Sequence, residues 1–148
     1  MVWKPHATVA AIIEKQGKFL IVEEKSEGKI VYNQPAGHLD PNETLVDAVI
    51  RETSEETAWQ FEPEYIIGIY QWKHPQKNNC TFSRVAFYGE CHSHQTEQPL
   101  DEGIIRAIWM TREELVEKES QLRSPMVLRC IDDYLAGNQY PLDILISL

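Results

Sequence analysis

The sequence predicts an α/β fold in which helices pack against a central mixed β-sheet. Segments 7–14 and 18–24 are rich in Val, Ile and Phe and flank a short turn, which is typical of a β-hairpin. Segments 65–72, 81–90 and 103–110 combine aromatic and β-branched residues with partial alternation, which predicts three further strands. Helical segments lie between and after these strands, so both kinds of element contribute to one architecture.

Three helices are predicted from their starting and ending signals. The longest follows Asn42, which we expect to be its N-cap, and its apolar residues recur with the period of a helix of about four turns. A T-R-E-E capping box at Thr111 predicts the start of a short helix. Pro125 is expected in the first turn of a third helix, which Gly137 should end.

The length and composition favour a single domain over residues 1–148 of the chain. A net charge of −9 disfavours binding to nucleic-acid backbones and to anionic membranes. The three cysteines lack metal-site or disulfide-framework spacing, and no apolar segment is long enough to span a bilayer. We therefore expect a cytoplasmic protein without a membrane or stable nucleic-acid partner, and we take a monomer as the working expectation.

The longest predicted helix carries a cluster of acidic residues on one face. Glu52, Glu55 and Glu56 stand at positions i, i+3 and i+4, so their carboxylates are neighbours that repel one another. Converging carboxylates are the hard oxygen ligands that hold Mg²⁺ or Mn²⁺. For an arbitrary helix, a solvated acidic face is the commoner explanation of such a cluster. The glycine turn that precedes this helix favours the metal site.

A longer motif surrounds this cluster and resembles the Nudix box of the Nudix hydrolases. The pattern is G-x5-E-x7-R-E-x2-E-E, and its fixed positions are Gly37, Glu43, Arg51, Glu52, Glu55 and Glu56. The resemblance continues outside residues 37–59 in the segments WKPHATVA, YQWKHP and LRSPMVLRCIDDYLAGNQYPL, so it covers most of the chain. It implies an α/β/α sandwich with the mixed sheet in its centre.

The resemblance also implies roles for the residues of the box. Glu52 and Glu56 would be the principal ligands of Mg²⁺, with Mn²⁺ as an alternative, and Glu55 would be a ligand or the base that positions water. A main-chain carbonyl at Ala36 or Gly37 would add a further ligand. By the same resemblance, Arg51 and Glu43 have structural roles, and the spacing does not settle which glutamate is the general base.

The implied activity is hydrolysis of phosphoanhydride bonds by attack of water on phosphorus. The segments outside the box resemble a bacterial phosphatase of the family. That likeness implies release of phosphate from nucleoside tri- and diphosphates and from the pyrophosphate of the thiamin pyrimidine precursor. Two alternatives remain open: a pyrophosphohydrolase restricted to nucleoside-diphosphate-linked substrates, and a module that binds nucleotides without turnover. All the box carboxylates are present, which favours an enzyme.

Two positions of the box depart from the family pattern. Ala58 stands where the family usually has glycine, and Thr53 stands where it usually has an apolar residue. A left-handed conformation at alanine costs roughly 1 kcal/mol relative to glycine, so a changed helix exit is one expectation. Neither departure removes a ligand.

Three residues outside the box are further candidates. Trp72, at a strand end, could stack on a substrate ring or pack in the core. Arg84 lies among apolar strand residues and needs a partner, for which a substrate phosphate and a buried acid are equal alternatives. Glu102 is a candidate for an additional carboxylate, against the alternative of a solvated loop. For Ser124 we favour a helix cap over an anion site.

Overall fold

Two β-sheets and the helices packed against them form the structure, a computed structural model that describes residues 2–148. The strands are β1 (His6–Ile12), β2 (Glu14–Lys15), β3 (Lys18–Ser26), β4 (Lys29–Asn33), β5 (Ala36–His38), β6 (Gln60–Lys73), β7 (Thr81–His92) and β8 (Ile104–Met110). The helices are α1 (Leu45–Thr57), α2 (Arg112–Glu117) and α3 (Met126–Leu135), with short 3₁₀ helices at Glu119–Gln121 and Leu142–Ile144. Within residues 2–148, no helix has the length and apolar character needed to cross a membrane.

The first sheet is mixed and has the strand order β5-β1-β7-β6. Strands β1 and β7 are parallel, whereas the β1–β5 and β6–β7 pairs are antiparallel. The second sheet is antiparallel and centres on β3, which pairs with β2, β4 and β8. The predicted α/β class with a mixed sheet is confirmed, and the division of the strands into two sheets is an addition to the prediction.

The apolar run in β1 explains why this strand lies inside the mixed sheet. Residues Thr8 to Ile12 are all buried, so both faces of the strand are covered. Val9 and Ala11 belong to one cluster of core residues, which also contains Val49 of α1. Ile12 belongs to a second cluster, which contains Ile131 of α3. The alternation along β1 thus directs side chains toward helices on opposite faces.

Strand β5 was not predicted, because only a glycine turn was expected before the first helix. Its three residues pair with β1 in the register Thr8↔His38, Val9↔Gly37 and Ala10↔Ala36. Such a short strand exists through this tertiary pairing and not through local propensity. Strand β6 is also longer than predicted and shows register shifts at Pro63/Tyr65 and Ile66/Gly68. Pro63 obscured its first half, since proline is unfavourable within a central strand.

The predicted N-cap of α1 is wrong, because Thr44 occupies that position. The Thr44 hydroxyl accepts a hydrogen bond of 3.0 Å from the amide of Asp47, whose side chain completes a capping box. Asn42 instead has a φ of 65°, a left-handed conformation that asparagine tolerates in turns. The helix therefore begins after an additional turn, at Leu45.

The two departures from the box pattern are accommodated in α1. Ala58 has a φ of 62° and its amide donates to the carbonyl of Ser54, so the exit keeps the left-handed cap that glycine usually provides. Thr53 is buried and donates its hydroxyl proton to the carbonyl of Val49 at 2.8 Å. This hydrogen bond satisfies the Thr53 hydroxyl on the face of α1 that packs against the core.

The signals for the other two helices are confirmed, except that Pro125 is the N-cap of α3 and not a residue of its first turn. Thr111 forms the expected capping box with Glu114 at the start of α2. The Ser124 hydroxyl accepts from the amide of Met126 at 3.1 Å, which supports the cap interpretation at the start of α3. Gly137 follows the last turn of α3 with a φ of 85°.

Substitution of Thr44 tests the observed start of α1. Thr44→Ala should lower the free energy of unfolding by about 1 kcal/mol, because the amide of Asp47 loses its acceptor. Thr44→Ser should stay close to the wild type, and Asn42→Gly should not destabilise, since glycine accepts a positive φ. Denaturant unfolding of the three variants provides the comparison. A larger loss in Asn42→Gly than in Thr44→Ala would contradict this helix start.

Candidate active site

Gly37 of β5 lies so close to the carboxylate of Glu52 that a larger residue at this position would displace that carboxylate. A Cβ atom added to Gly37 would overlap the carboxylate of Glu52. The pairing of Gly37 with Val9 fixes the backbone of β5 beside α1. The glycine therefore lets the strand lie directly against an acidic side chain of the helix, which brings main-chain carbonyls and a carboxylate together.

Arg51 connects the turn before α1 to the acidic face of the helix. Its Nε and Nη2 atoms donate to the two oxygens of Glu43 at 3.0 and 2.7 Å. Its Nη1 atom donates to Glu52 at 2.7 Å and to Glu55 at 2.9 Å. Nη2 also donates to the carbonyl of His38 at 2.9 Å. One guanidinium thus orients two glutamates of the helix and the end of β5.

The pKa values of this network follow from its hydrogen bonds. The two bonds from Arg51 are the main reason that the pKa of Glu43 is lowered, so this carboxylate stays charged. The pKa of Arg51 is raised for the reciprocal reason, with Glu43 as the largest cause. The strong pairing supports the structural roles predicted for both residues.

Glu52, Glu55 and Asp101 present carboxylate oxygens that all lie within 4.8 Å of one another. The amide of Asp101 donates to the carbonyl of Glu55 at 3.0 Å, and this bond attaches the loop before β8 to the end of α1. Glu102, the residue expected to supply an extra carboxylate, is exposed and is not part of this group. Its neighbour Asp101 occupies that place, because the turn preceding β8 directs it toward the helix.

Glu56 lies deeper than the other acids of the helix. One of its oxygens accepts a hydrogen bond of 2.9 Å from the amide of Ala36, in β5. Burial raises the pKa of Glu56 to about 9, and the charge of Glu52 acts in the same direction. Without a bound cation, this carboxyl group is therefore protonated at neutral pH.

A cavity of about 630 Å³ opens beside these carboxylates. Both acidic and basic side chains line it, and its lining includes Asn33, Gly37, Glu52, Glu56, Trp72 and Arg84. The cavity is large enough for a small organic phosphate. A second cavity of about 660 Å³ lies along β6 and α3 and shares Trp72 with the first.

Trp72 lies at the end of β6, where it is half-buried at the wall of the cavity. Its ring stacks on Phe82 with a centroid distance of 5.8 Å. The residue is outside both clusters of core residues, although Phe82 covers part of its surface. This position is compatible with stacking on a bound ring.

Arg84 is 4% exposed and contacts the same cavity from β7. It donates to the amide oxygen of Gln34 at 2.9 Å and to that of Asn33 at 3.1 Å. The alternative of a buried acid as its partner is wrong for the part of the chain described, residues 2–148, because its acceptors are these two neutral amides and, at 3.9 Å, the Sγ atom of Cys130. Its Nε atom is buried and has no hydrogen-bond partner among those residues.

Comparison with known proteins is consistent with this site. The NUDIX domain model matches residues 3–130. The chain belongs to the Nudix hydrolase family. It is 43% identical over 143 residues to Phosphatase NudJ of Shigella boydii and, equally, to that of Escherichia coli K12, covering 97% of this chain and 92% of each relative. A NUDIX hydrolase structure from Nitrosomonas europaea superposes with a TM-score of 0.95 at 46% identity, covering 98% of both chains.

The relatives establish this Nudix protein as a phosphohydrolase that acts on small phosphorylated substrates. The alternative of a module that binds without turnover is therefore wrong. The recognition of the family from the box is confirmed, and so is the likeness of the flanking segments to Phosphatase NudJ. The functions of individual residues stay predictions.

The acidic side chains of this Nudix site fit a divalent cation, which enzymes of the family generally need. Three carboxylates converge within 4.8 Å, and oxygen donors of this kind suit a hard cation. Burial raises the pKa of Glu52 although Arg51 opposes the shift, and burial raises that of Asp101 as well. A bound cation would offset this cost of holding the carboxylates in their charged form.

The raised pKa of Glu56 gives a prediction for the metal-free protein. Between pH 4.5, the ordinary value, and about 9, the unfolded chain loses a proton that the folded protein retains. The free energy of unfolding contributed by this group therefore falls as the pH rises through that window. Glu56→Gln removes the titration and keeps an acceptor for the amide of Ala36, so it should stabilise the protein.

Thermal unfolding in EDTA at two pH values checks this prediction. The gain in Tm for Glu56→Gln should be at least about 3 °C greater at pH 8 than at pH 5. Glu117→Gln, an exposed change on α2, should show no such difference. A gain that is independent of pH would mean that Glu56 is not held protonated by its surroundings.

Proposed function

We propose that this Nudix enzyme hydrolyses nucleoside tri- and diphosphates and related pyrophosphates, including that of the thiamin pyrimidine precursor, with Mg²⁺ as its cofactor. The observation that carries the proposal is the group formed by Glu52, Glu55 and Asp101, of which Glu52 also lines a substrate-sized cavity. Mn²⁺ has the same preference for oxygen ligands and is the alternative cofactor. The name of the relatives, Phosphatase NudJ, supports release of orthophosphate.

Glu52 and Glu56 are proposed as the principal ligands, with the main-chain carbonyl at Gly37 as an additional one. Their placement on adjoining parts of α1 and β5 supports this assignment. When bound, the cation neutralises phosphate charge, orients the substrate and lowers the pKa of the attacking water. Release of the proton from Glu56 would make its carboxylate available for this role.

Glu55 is proposed as the residue that positions the attacking water and accepts its proton. It is more exposed than Glu52, with 35% of its side chain accessible against 12%. Arg51 holds one of its oxygens at 2.9 Å, which fixes the direction of the carboxylate. Asp101 shares this region and is the alternative base.

The cavity wall formed by Trp72 is proposed to bind the ring of the substrate, and Arg84 to bind a phosphate. A flat aromatic surface beside the acidic face supports recognition of heterocyclic substrates without strong base preference. A cytoplasmic location belongs to the same proposal, since Cys80, Cys91 and Cys130 are all free in residues 2–148. The monomeric state stays a prediction.

A phosphate-release screen tests the reaction and its substrate. Nucleoside tri- and diphosphates and thiamin pyrimidine pyrophosphate are incubated with enzyme and Mg²⁺, and orthophosphate is assayed separately from pyrophosphate. We expect orthophosphate from all three classes and none after addition of EDTA. Activity confined to nucleoside-diphosphate-linked compounds would favour the narrower pyrophosphohydrolase, and turnover in EDTA would contradict the role of the cation.

Glu56→Gln should reduce kcat by at least about 100-fold, because substitutions around a metal already cost 10–100-fold when they affect only supporting residues. Glu52→Gln should also reduce kcat. Circular dichroism should show an intact fold for both, since these side chains serve the site more than the core. Near-normal kcat for Glu56→Gln with Mg²⁺ present would contradict this assignment, and Glu117→Gln is the matched control.

Trp72→Ala should raise KM by roughly 5- to 150-fold for substrates with different bases, the equivalent of about 1–3 kcal/mol of lost stacking. Its effect on Tm should be small, because Phe82 covers only part of the ring. Trp109→Ala is the matched control, since Trp109 packs against the core and should lower Tm without changing KM. A large loss of stability with an unaltered KM in Trp72→Ala would contradict the stacking role.

A further inference from the structure

Arg84 differs from the other arginines of the chain because no carboxylate among residues 2–148 pairs with its guanidinium. Ion pairs with carboxylates are formed by Arg51, Arg106, Arg112, Arg123 and Arg129. Arg84 is the most buried of the six and, among residues 2–148, the one without such a pair. The chain has 23 acidic residues against 14 lysines and arginines, so a shortage of carboxylates does not explain this difference.

Two neutral amides hold the guanidinium of Arg84 in place. Gln34 accepts at 2.9 Å and is itself fixed by a 2.8 Å hydrogen bond from its Nε2 to the carbonyl of Val127 in α3. Asn33 accepts at 3.1 Å through Oδ1. Amide oxygens orient a guanidinium but do not neutralise its charge. The Nε atom, which is buried, keeps an unused donor within the described chain.

A buried cation without a counter-ion destabilises the folded protein, so its retention needs an explanation. Arg84 and Asn33 line the cavity that also contains Glu52 and Glu56. An anionic ligand in that cavity would supply the missing negative charge. Glu52 and Glu56 are acidic, so an anionic group of the ligand can approach them only through a bound cation. The group that contacts Arg84 directly is therefore a second anionic group of the same ligand.

We propose that Arg84 is an anion subsite for a second phosphate group of the substrate, and that Asn33 and Gln34 are positioning residues that hold its guanidinium in place without neutralising it. The identity of the anion as phosphate rests on the proposed function. The substrate class is a molecule with at least two anionic groups, one directed to the face of Glu52 and Glu56 and one to Arg84. The neutral amides make the subsite selective, since an acid at position 33 or 34 would occupy it permanently.

Asn33→Asp tests this subsite by providing an internal counter-ion. Asp has the shape of Asn and keeps an acceptor for Arg84, so the fold should persist and Tm should not fall. Asn78→Asp is the matched control, with the same change of charge in an exposed loop. Arg84→Gln, which removes the cation, is the second variant and keeps the test informative if Asn33→Asp does not fold.

The first measurement uses inorganic phosphate and needs no turnover. Each protein is titrated with phosphate in EDTA at constant ionic strength, and binding is followed by the ³¹P line width. The dissociation constant should increase by at least about tenfold in Asn33→Asp and in Arg84→Gln, and should change less than about twofold in Asn78→Asp. Absence of phosphate binding to the wild type, or equal binding by all four proteins, would overturn the proposal.

The second measurement uses Mg²⁺ and a nucleoside diphosphate. Asn33→Asp should raise KM by about tenfold and change kcat much less, whereas a purely structural role of Asn33 would leave KM unaltered. An inactive wild type that still binds phosphate through Arg84 would refute the proposed function and leave the subsite standing. Normal turnover with equal KM in Asn33→Asp and Asn78→Asp would refute the subsite alone.

Discussion

The interaction on which the site depends is the contact of one guanidinium with four carboxylates. Arg51 lies within 3.3 Å of Asp40, 2.7 Å of Glu43, 2.7 Å of Glu52 and 2.9 Å of Glu55. Without it, the acidic face of α1 would repel itself and the turn before the helix would have no fixed partner. Arg51 does not offset the burial of the deeper acids, because burial raises the pKa values of Glu52 and Glu56 and the neighbouring carboxylates raise them further.

The mixed sheet determines where this excess of negative charge lies. Pairing with β1 places Gly37 directly against Glu52, and the amide of Ala36 against Glu56. The loop before β8 contributes Asp101 by bonding to the last turn of α1. Three separate segments therefore meet at one end of the helix. The arrangement gives a group of oxygen donors beside a cavity whose lining also includes Arg84, unpaired within residues 2–148, as a polyphosphate bound with a cation requires.

The parts of the fold that depend on local chemistry could be predicted from the sequence. Apolar runs predicted the strands β1 and β3, and the capping box at Thr111 predicted α2. The predicted pairing of β1 with β3 as a hairpin is wrong, because the two strands lie in different sheets and β3 forms its hairpin with the short strand β2. The spacing of Glu52, Glu55 and Glu56 predicted a shared acidic face. The N-cap was misplaced because both Asn42 and Thr44 are suitable residues, and only the geometry of the turn distinguishes them.

The parts that depend on tertiary pairing could not be predicted in the same way. Strand β5 has no periodicity in three residues, and Asp101 differs from Glu102 only in which side chain the turn directs to α1. The amide partners of Arg84 come from a segment that is 50 residues away in the chain. The available signal was the polar pair Asn33 and Gln34 next to Pro35, which has no local explanation.

We expect the acidic end of α1 to be a divalent-cation site of the folded enzyme. Thermal unfolding as a function of MgCl₂, with ionic strength balanced by NaCl, tests it most directly. A cation that binds the folded chain should raise Tm progressively in the wild type, and this rise should be strongly reduced in Glu52→Gln. Coincidence of the MgCl₂ and NaCl curves, with and without a substrate analogue, would contradict the account.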